Sequence, residues 1–559
     1  MGYIEIYEKW LNSPYVDENT RNELLELKGN DTELKERFAK EIEFGTAGLR
    51  GVLGAGTNRI NKYIVRKVTQ GYADYIKAQG AEACCRGVVI AHDNRRCSVE
   101  FSKETAGVLA ANGIKAYVFD SLRPTPELSF AVRELKAFGG VMITASHNPP
   151  EYNGYKLYDE RGCQLVPHIN DRVVEYISKI DDALSVKTAS PEAISNYVVT
   201  LGKDMDEKYY SAVMSISINK NVKKDNLKIV YSPQHGTGNI PVREVLARLG
   251  YTGLIPVEEQ CAPDTEFSNT KNPNPEVDDA YIMALDYAKK NDADIVITTD
   301  PDCDRLGVAV KHNGEYIRMT GNQSAAVLLE YILSSKKANG TLPNNAVMFN
   351  TIVTSDLGDK ICAEYGVEVE KTLTGFKFIG DKVYKHETGD KKPFIFGYEE
   401  SYGCLIGDFV RDKDAVQASL MLCESAAFYL GEGKTLIDVL YELYEKHGYF
   451  LDALDNFVFK GLDGAEKIAS LVNSLRSAPP ACAGSVKVSK LEDFESKEMM
   501  DKGFPPSNVL RFIMEDGSWV AVRPSGTEPK CKFYYSIVAK NRELAERKLD
   551  DMRGVFEKK

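Results

Sequence analysis

Ser146 follows the apolar run GGVMITA (139–145) and opens the polar stretch HNPPEYNGYK. A hydroxyl placed directly after a predicted buried strand is expected to stand exposed on a turn. Pro149–Pro150 stiffens that turn, because proline fixes φ, and Asn153–Gly154 is itself a turn signal. With His147 beside the hydroxyl and Lys156 returning nearby, the set suits a nucleophile or a phosphoryl carrier. The plainer alternative is a Ser-Asn-Pro turn that only caps a strand.

A second apolar strand feeds TTDPDCDRLG (298–307), with Asp300, Asp302 and Asp304 at alternate positions. Three carboxylates so close repel one another unless a cation sits among them. Oxygen-only ligands select Mg²⁺ or Ca²⁺ over zinc, and Arg305 adds a planar donor suited to phosphate. No Gly stands at loop position 6 and no Glu at position 12, which disfavours a calcium EF-hand. The plain alternative is a solvated acidic turn.

Two further loops carry polar chemistry. FGYEESYG (396–403) places Glu399, Glu400 and Ser401 after the run PFIF. Such carboxylates can accept hydrogen bonds from sugar hydroxyls, or form a glycosidase pair. Adjacent strand residues point to opposite faces, however, which argues against both meeting one substrate. VRPSGTEPK (522–530) offers Arg523, Ser525, Gly526 and Thr527 as a phosphate cradle that is not a Walker loop; here the alternative is a Pro/Gly turn between strands.

The elements that must position these loops alternate in type. RGVVIA (86–91), GIKAYVFD (113–120), LKIVYSP (227–233), ADIVITTD (293–300), AVMFNTIV (346–353) and KPFIFGYEE (392–400) predict buried strands, with helical stretches between them. In open α/β sheets ligands gather outside the carboxyl ends of strands, where all four loops fall. The first ~40 residues predict amphipathic helix on the spacing of Trp10, Leu11, Leu24, Leu25 and Leu27. RELAERKLDDMRGVFEKK (542–559) predicts another. A length of 559 residues accommodates several domains. The expected limits are 1–205, 206–322, 323–448 and 449–559.

Bulk composition narrows the class. A net charge of −12 gives no long-range attraction for nucleic acid, so any anion must be held by a local basic cluster. No apolar run approaches the ~20 residues of a membrane span, and MGYIEIYEKW predicts no signal peptide. The 11 cysteines form no C-x-x-C pair, which fits a reducing cytosol and gives no zinc-ribbon spacing. A cytoplasmic protein, monomeric or homodimeric, is expected.

The whole set resembles the α-D-phosphohexomutase superfamily, and most of all its phosphoglucomutase branch. TASHNPPEYNGYK resembles that family's phosphoserine loop, DPDCDR its metal loop, GYEESYG its sugar loop and RPSGTEPK its phosphate-binding loop, in the family's order. FGTAGLRG (44–51), GTNRIN (56–61) and TLTGFKFIG (372–380) also match. The resemblance implies three related mixed-sheet α/β domains plus a smaller C-terminal α+β domain around a central cleft. It implies that Ser146 carries a phosphoryl group and that Mg²⁺ is held by Asp300, Asp302, Asp304 and an oxygen of the phosphorylated Ser146. Glu399 and Ser401 would contact sugar hydroxyls. Arg523, Ser525, Gly526 and Thr527 would hold the substrate's other phosphate. Arg50, His147, Lys156 and Lys377 match positions near the transferring group, with Lys156, Lys377 and His147 as candidate bases.

The implied activity interconverts glucose 1-phosphate and glucose 6-phosphate through glucose 1,6-bisphosphate. Mannose or pentose phosphates, or sugar-bisphosphate synthesis, are the alternatives on the same scaffold. A dehalogenase-type hydrolase with Asp300 as nucleophile leaves Ser146 and the RPSGTEPK loop without a role. A non-catalytic sensor fits poorly, since Ser146 and all three aspartates are present. The 7 histidines are too dispersed for an alkaline-phosphatase metal cluster.

Overall fold

The computed structural model describes residues 2–45, 48–389, 391–459, 464–525 and 530–556. They form two compact units, Met1–Met319 with Gly380–Lys391 and Gly403–Gly431, and Thr320–Ile379 with Lys392–Tyr402 and Glu432–Lys559. No helix among the described residues is long and apolar enough to cross a membrane.

The first unit holds two mixed sheets. One runs Leu49–Val52, Tyr152–Asp159, Gly139–Ile143, Val88–His92, Ala116–Phe119, Val198–Leu201. Its last four strands are parallel, and the first two join antiparallel. The other runs Glu315–Met319, Leu306–His312, Ile295–Thr299, Ile229–Ser232, Leu254–Pro256. There Leu306–His312 is antiparallel to both neighbours and the remaining pairs are parallel.

Both sheets therefore contain the same device. A fully buried strand, Gly139–Ile143 or Ile295–Thr299, ends in a short loop and the chain returns directly alongside it. The first such loop carries Ser146 and the second carries the three aspartates.

Packing fixes these strands in place. Helix Lys62–Ala78 turns Ile64, Val68, Tyr72 and Ile76 onto Val88, Ile90, Val141 and Leu157 at helical spacing. Each such side chain contributes roughly 1.5–3 kcal/mol on burial. Gly71 lets this helix meet helix Pro167–Ile177, since a Cβ there would lie 2.6 Å from the Ile177 Cα. Helix Ala415–Gly431 is buried on nearly every side. Asp414 caps it by accepting from the amides of Val416 (2.9 Å) and Gln417 (3.0 Å).

The first forty residues, where the sequence predicts amphipathic helix, are three helices, Tyr3–Asn12, Glu18–Glu26 and Asp31–Phe38. Gly29, at φ +88°, breaks the run, and Asp17 and Asn30 cap the amides of Thr20 and Glu33. The three pack Tyr7, Trp10, Leu24, Leu34 and Phe38 against Tyr63.

The second unit joins three parallel strands, Glu368–Thr372, Val347–Thr351 and Phe394–Tyr398, to an antiparallel sheet. That sheet runs Tyr449–Val458, Lys530–Ala539, Trp519–Pro524, Leu510–Met514, Val486–Asp493, Cys482–Ala483. Helices Gly464–Ser477 and Arg542–Phe556 cover one of its faces, making the α+β part. Ile352, Val353 and Leu373 share a core with Phe494, Trp519 and Tyr534.

Candidate functional site

The loop after Gly139–Ile143 forces Ser146 into the left-handed region, at φ +51°. A non-glycine residue there is strained and must be held by its surroundings. Ser146 is not exposed as the sequence suggests but buried, 3% accessible. The burial comes from the metal-type loop of the neighbouring sheet, which the local sequence could not reveal. The Ser146 hydroxyl donates to Asp300 Oδ2 at 2.7 Å and lies 3.2 Å from His147 Nδ1.

Asn153–Gly154 is likewise not a turn but part of strand Tyr152–Asp159. The Asn153 amide donates to Arg96 O (2.8 Å) and Ser98 Oγ (3.0 Å). A Cβ on Gly154 would meet Thr144 O at 2.3 Å and Leu49 O at 2.9 Å. The glycine is needed for close strand approach, and tertiary packing overrides the local turn preference.

Asp300, Asp302 and Asp304 are buried, each offering a carboxylate oxygen within 4.8 Å of the others'. Backbone amides of Asp304 and Arg305 donate to Asp300 Oδ1, both at 3.1 Å. Lys156 Nζ donates to Asp302 Oδ2 at 2.8 Å and lies 3.8 Å from Asp304 Oδ2. Two buried oxygens, Asp302 Oδ1 and Asp304 Oδ1, have no hydrogen-bond partner among the described residues. Orphaned carboxylate oxygens inside a protein are costly, and an all-oxygen donor set with spare acceptors fits a hard divalent cation.

The electrostatics point the same way. Burial, with Asp302 and Asp304 alongside, pushes Asp300 well above the usual carboxylate range. Burial acts on Asp302 too, but Lys156 and Lys413 overcome it and hold that group low. Burial, reinforced by Arg305 and Arg50, keeps His147 well below the ordinary imidazole value and therefore neutral near pH 7.

The remaining predicted residues of the first unit meet here as well. Arg50 donates to Asn148 Oδ1 at 2.9 Å. Arg305 Nη1 pairs with Glu276, and its Nε lies 3.8 Å from Asp304 Oδ1, so its guanidinium is already engaged.

In the second unit Glu399 is buried and accepts the Gly375 amide at 2.7 Å. Glu400 turns away to accept from Thr351 Oγ1 at 3.2 Å. The two carboxylates hold different partners, and both lie in the loop after strand Phe394–Tyr398 and not in the strand. Ser401 is half-buried; Lys377 is buried, with its ammonium 5.5 Å from the Phe378 ring centre.

Arg523, near the end of strand Trp519–Pro524, lies opposite Lys532, and the Ser525 amide donates to Lys530 O at 2.7 Å. Burial, then the Glu400 carboxylate, raise the Tyr534 phenol, while Arg523 opposes them. One phenol thus feels both the sugar-type loop and the phosphate-type loop. Gly526 and Thr527 lie outside the described residues.

Several residues at the site escaped sequence reasoning. Lys413 Nζ reaches Asp304 Oδ2 at 3.1 Å. Thr125 donates its hydroxyl to Asp302 Oδ2 (3.1 Å) and its amide to Asp302 O (2.9 Å). Arg95 donates to carbonyls of the serine loop. The available signal was position alone: HDNRRCS (92–98) follows the buried strand Val88–His92.

Four family models match the chain in order. They are phosphoglucomutase/phosphomannomutase alpha/beta/alpha domain I over 41–184, domain II over 207–314, domain III over 320–447 and the C-terminal domain over 482–553. A phosphoglucomutase of Staphylococcus aureus (strain MSSA476) is 37% identical over 532 residues, covering 94% of each chain. One of Staphylococcus epidermidis (strain RP62A) is 37% identical over 529 residues, 93% of this chain and 95% of its own. Among solved structures, the open form of Paramecium parafusin, a phosphoglucomutase, aligns with TM-score 0.73 at 18% identity, covering 93% and 95% of the two chains. A phosphoglucomutase/phosphomannomutase family protein from Burkholderia thailandensis aligns with TM-score 0.68 at 20% identity, covering 92% and 97%. At these identities the structural matches establish the fold.

Proposed function

The chain belongs to the phosphoglucomutase/phosphomannomutase family, and on that premise we propose that it interconverts glucose 1-phosphate and glucose 6-phosphate by way of a phosphorylated Ser146. It is an isomerase of the phosphohexomutase type. The observation that carries the reading is the 2.7 Å contact between the Ser146 hydroxyl and Asp300 of the buried carboxylate triad. A serine hydroxyl held against an acidic cation-type site suits metal-assisted phosphoryl chemistry.

Asp300, Asp302 and Asp304 would hold Mg²⁺, joined by an oxygen of the phosphorylated Ser146. The ion would neutralise charge spreading on the transferring oxygens. Ser146 gives its phosphoryl group to the free sugar hydroxyl: the bond from phosphorus to Oγ breaks and one to the sugar oxygen forms. The product, glucose 1,6-bisphosphate, must re-present its other phosphate so that the second transfer restores the phosphorylated serine. Glu399 and Ser401 read sugar hydroxyls; Arg523 and Ser525, with Gly526 and Thr527, hold the phosphate that is not moving.

Each transfer needs a proton acceptor and donor. His147 is neutral and lies 3.2 Å from Ser146 Oγ. It therefore suits the serine proton better than Lys156, which is committed to Asp302 at 2.8 Å. Arg50, tied to Asn148, keeps the serine loop closed on one side. Lys377 remains a candidate for the sugar hydroxyl proton. The sheet-by-sheet limits 1–205, 206–322, 323–448 and 449–559, a cytosolic setting and a monomer or homodimer belong to the same proposal.

The test is turnover on glucose, mannose and ribose 1-phosphates with Mg²⁺ and a trace of the matching bisphosphate. The proposal expects the highest kcat/KM on glucose 1-phosphate. A preference for mannose or ribose would keep the chemistry and change the substrate. No turnover on any of them would end the enzyme reading.

A further inference from the structure

Ser146 is held in a strained backbone conformation, and its carbonyl is held by a single buried guanidinium. Arg95 Nη2 donates to Ser146 O at 2.5 Å and to Asn148 O; Nη1 donates to Pro149 O at 2.7 Å and Tyr152 O at 3.0 Å. Nε faces Asp93 Oδ2 at 3.3 Å. The two Nη groups thus make four hydrogen bonds to carbonyls of the serine loop, and Nε is held by ion pairing alone. The side chain has no accessible surface, and its flat face lies over the Phe267 ring at 5.0 Å.

Asp93 reaches the serine from the other end. It accepts the Arg95 amide at 2.9 Å and the Ser98 hydroxyl at 2.8 Å, and is stabilised by the Thr144 hydroxyl. Thr144 Oγ1 in turn accepts the Ser146 amide at 2.8 Å. The amide and the carbonyl of Ser146 are thus both secured, one through Thr144 and one through Arg95. Phe267 belongs to the loop beside Asp264, whose carbonyl accepts from Asn94 at 2.7 Å. This loop comes from the segment 261–270, between the strands of the second sheet, which is the sheet that supplies Asp300. The guanidinium therefore registers the serine loop against structure belonging to the carboxylate sheet.

We propose that Arg95, anchored by Asp93, is a positioning residue for phosphoryl transfer: it touches no reacting atom, and it sets the Ser146 hydroxyl against the carboxylate triad. The inference rests on Ser146 being the phosphoryl carrier. A lysine cannot replace it, because an ammonium has three donors and no planar fork to span four carbonyls. Misplacing a reacting group by about 1 Å can cost ~10²-fold in rate.

The test compares wild type with Arg95→Lys and Asp93→Asn, on glucose 1-phosphate and on mannose 1-phosphate. Arg95→Lys is expected to lower kcat ~10²-fold with KM within about 3-fold. The loss should be the same factor on both sugars, since the guanidinium reads the loop and not the sugar. Asp93→Asn keeps the Arg95 fork while weakening its anchor, and is expected to lose about 10-fold in kcat with the same pattern. It carries the test if Arg95→Lys does not fold. A folded Arg95→Lys with kcat near wild type, or a loss that falls on KM or differs between sugars, overturns the inference. Intact mass on the wild type is read first: a chain that takes no phosphoryl group on Ser146 overturns the carrier reading, and the positioning role falls with it.

Discussion

The site of the first unit and that of the second are built in opposite ways. In the first, Ser146, Asp300, Asp302 and Asp304 are all buried, and each carboxylate meets a named donor or ammonium. In the second, Ser401, Arg523 and Ser525 are half-buried. Glu399 accepts the Gly375 amide there. Under the proposed function the contrast would separate two tasks. Phosphoryl transfer would have one geometry whichever end of the sugar is presented, so its groups could be locked. Recognition would have to accept a hexose phosphate in two orientations, which a fully packed site would forbid.

Substitutions can break this division. The largest effect is expected from Ser146→Ala, with turnover falling at least ~10³-fold while the fold and KM-type binding persist. Circular dichroism with a coupled assay checks it. Asp302→Asn comes next. Removing a charge from the triad should move the Mg²⁺ titration midpoint upward by at least ~10-fold, on every sugar alike. An unmoved midpoint would take the triad out of the metal role.

Changes in the second unit should instead act on KM and on the choice between sugars. Arg523→Ala removes charge-assisted hydrogen bonds to phosphate worth about 1.5–3 kcal/mol, which converts to a ~10–100-fold loss in kcat/KM. Glu399→Gln should cost about 10-fold and change the glucose-to-mannose ratio. A uniform kcat loss from either would erase the distinction between the two regions.

The last effect leaves activity untouched and concerns stability alone. Burial raises Asp414 to about 6, although Gln417 and Tyr209 donate to it. An acid whose pKa is raised on folding binds its proton more tightly in the native state. Stability from this group is therefore present below about pH 4 and is lost as pH rises towards 6. The expected loss is at most ~3 kcal/mol at ~1.4 kcal/mol per pKa unit. Denaturant midpoints from pH 4.5 to 7 should slope in the wild type more than in Asp414→Asn.

Much of this was legible in the sequence, and the reasons are specific. Buried strands such as Val88–His92 and Ile295–Thr299 announce themselves as continuous apolar runs, and catalytic-type residues fall directly after them. What failed was local chemistry overruled from afar. Asn153–Gly154 looks like a turn until Thr144 and Leu49 press against it. Ser146 looks exposed until Asp300 covers it. Arg95, Thr125 and Lys413 belong to no recognisable pattern, because their partners lie 51 to 177 residues away for the first two and the third approaches Asp304 from a separate segment. The helix breaks near Gly29 were visible as residue types, yet the apolar spacing ran straight across them.

The central claim is that Ser146 carries the phosphoryl group. The direct measurement is intact mass with peptide mapping, after incubation with glucose 1,6-bisphosphate and Mg²⁺, on wild type and Ser146→Ala. The account predicts one added phosphoryl group in the wild type, mapped to Ser146 and regenerated through turnover of glucose 1-phosphate, and none in the variant. A phosphoryl group mapped elsewhere, or a variant that labels and turns over as the wild type does, would contradict it.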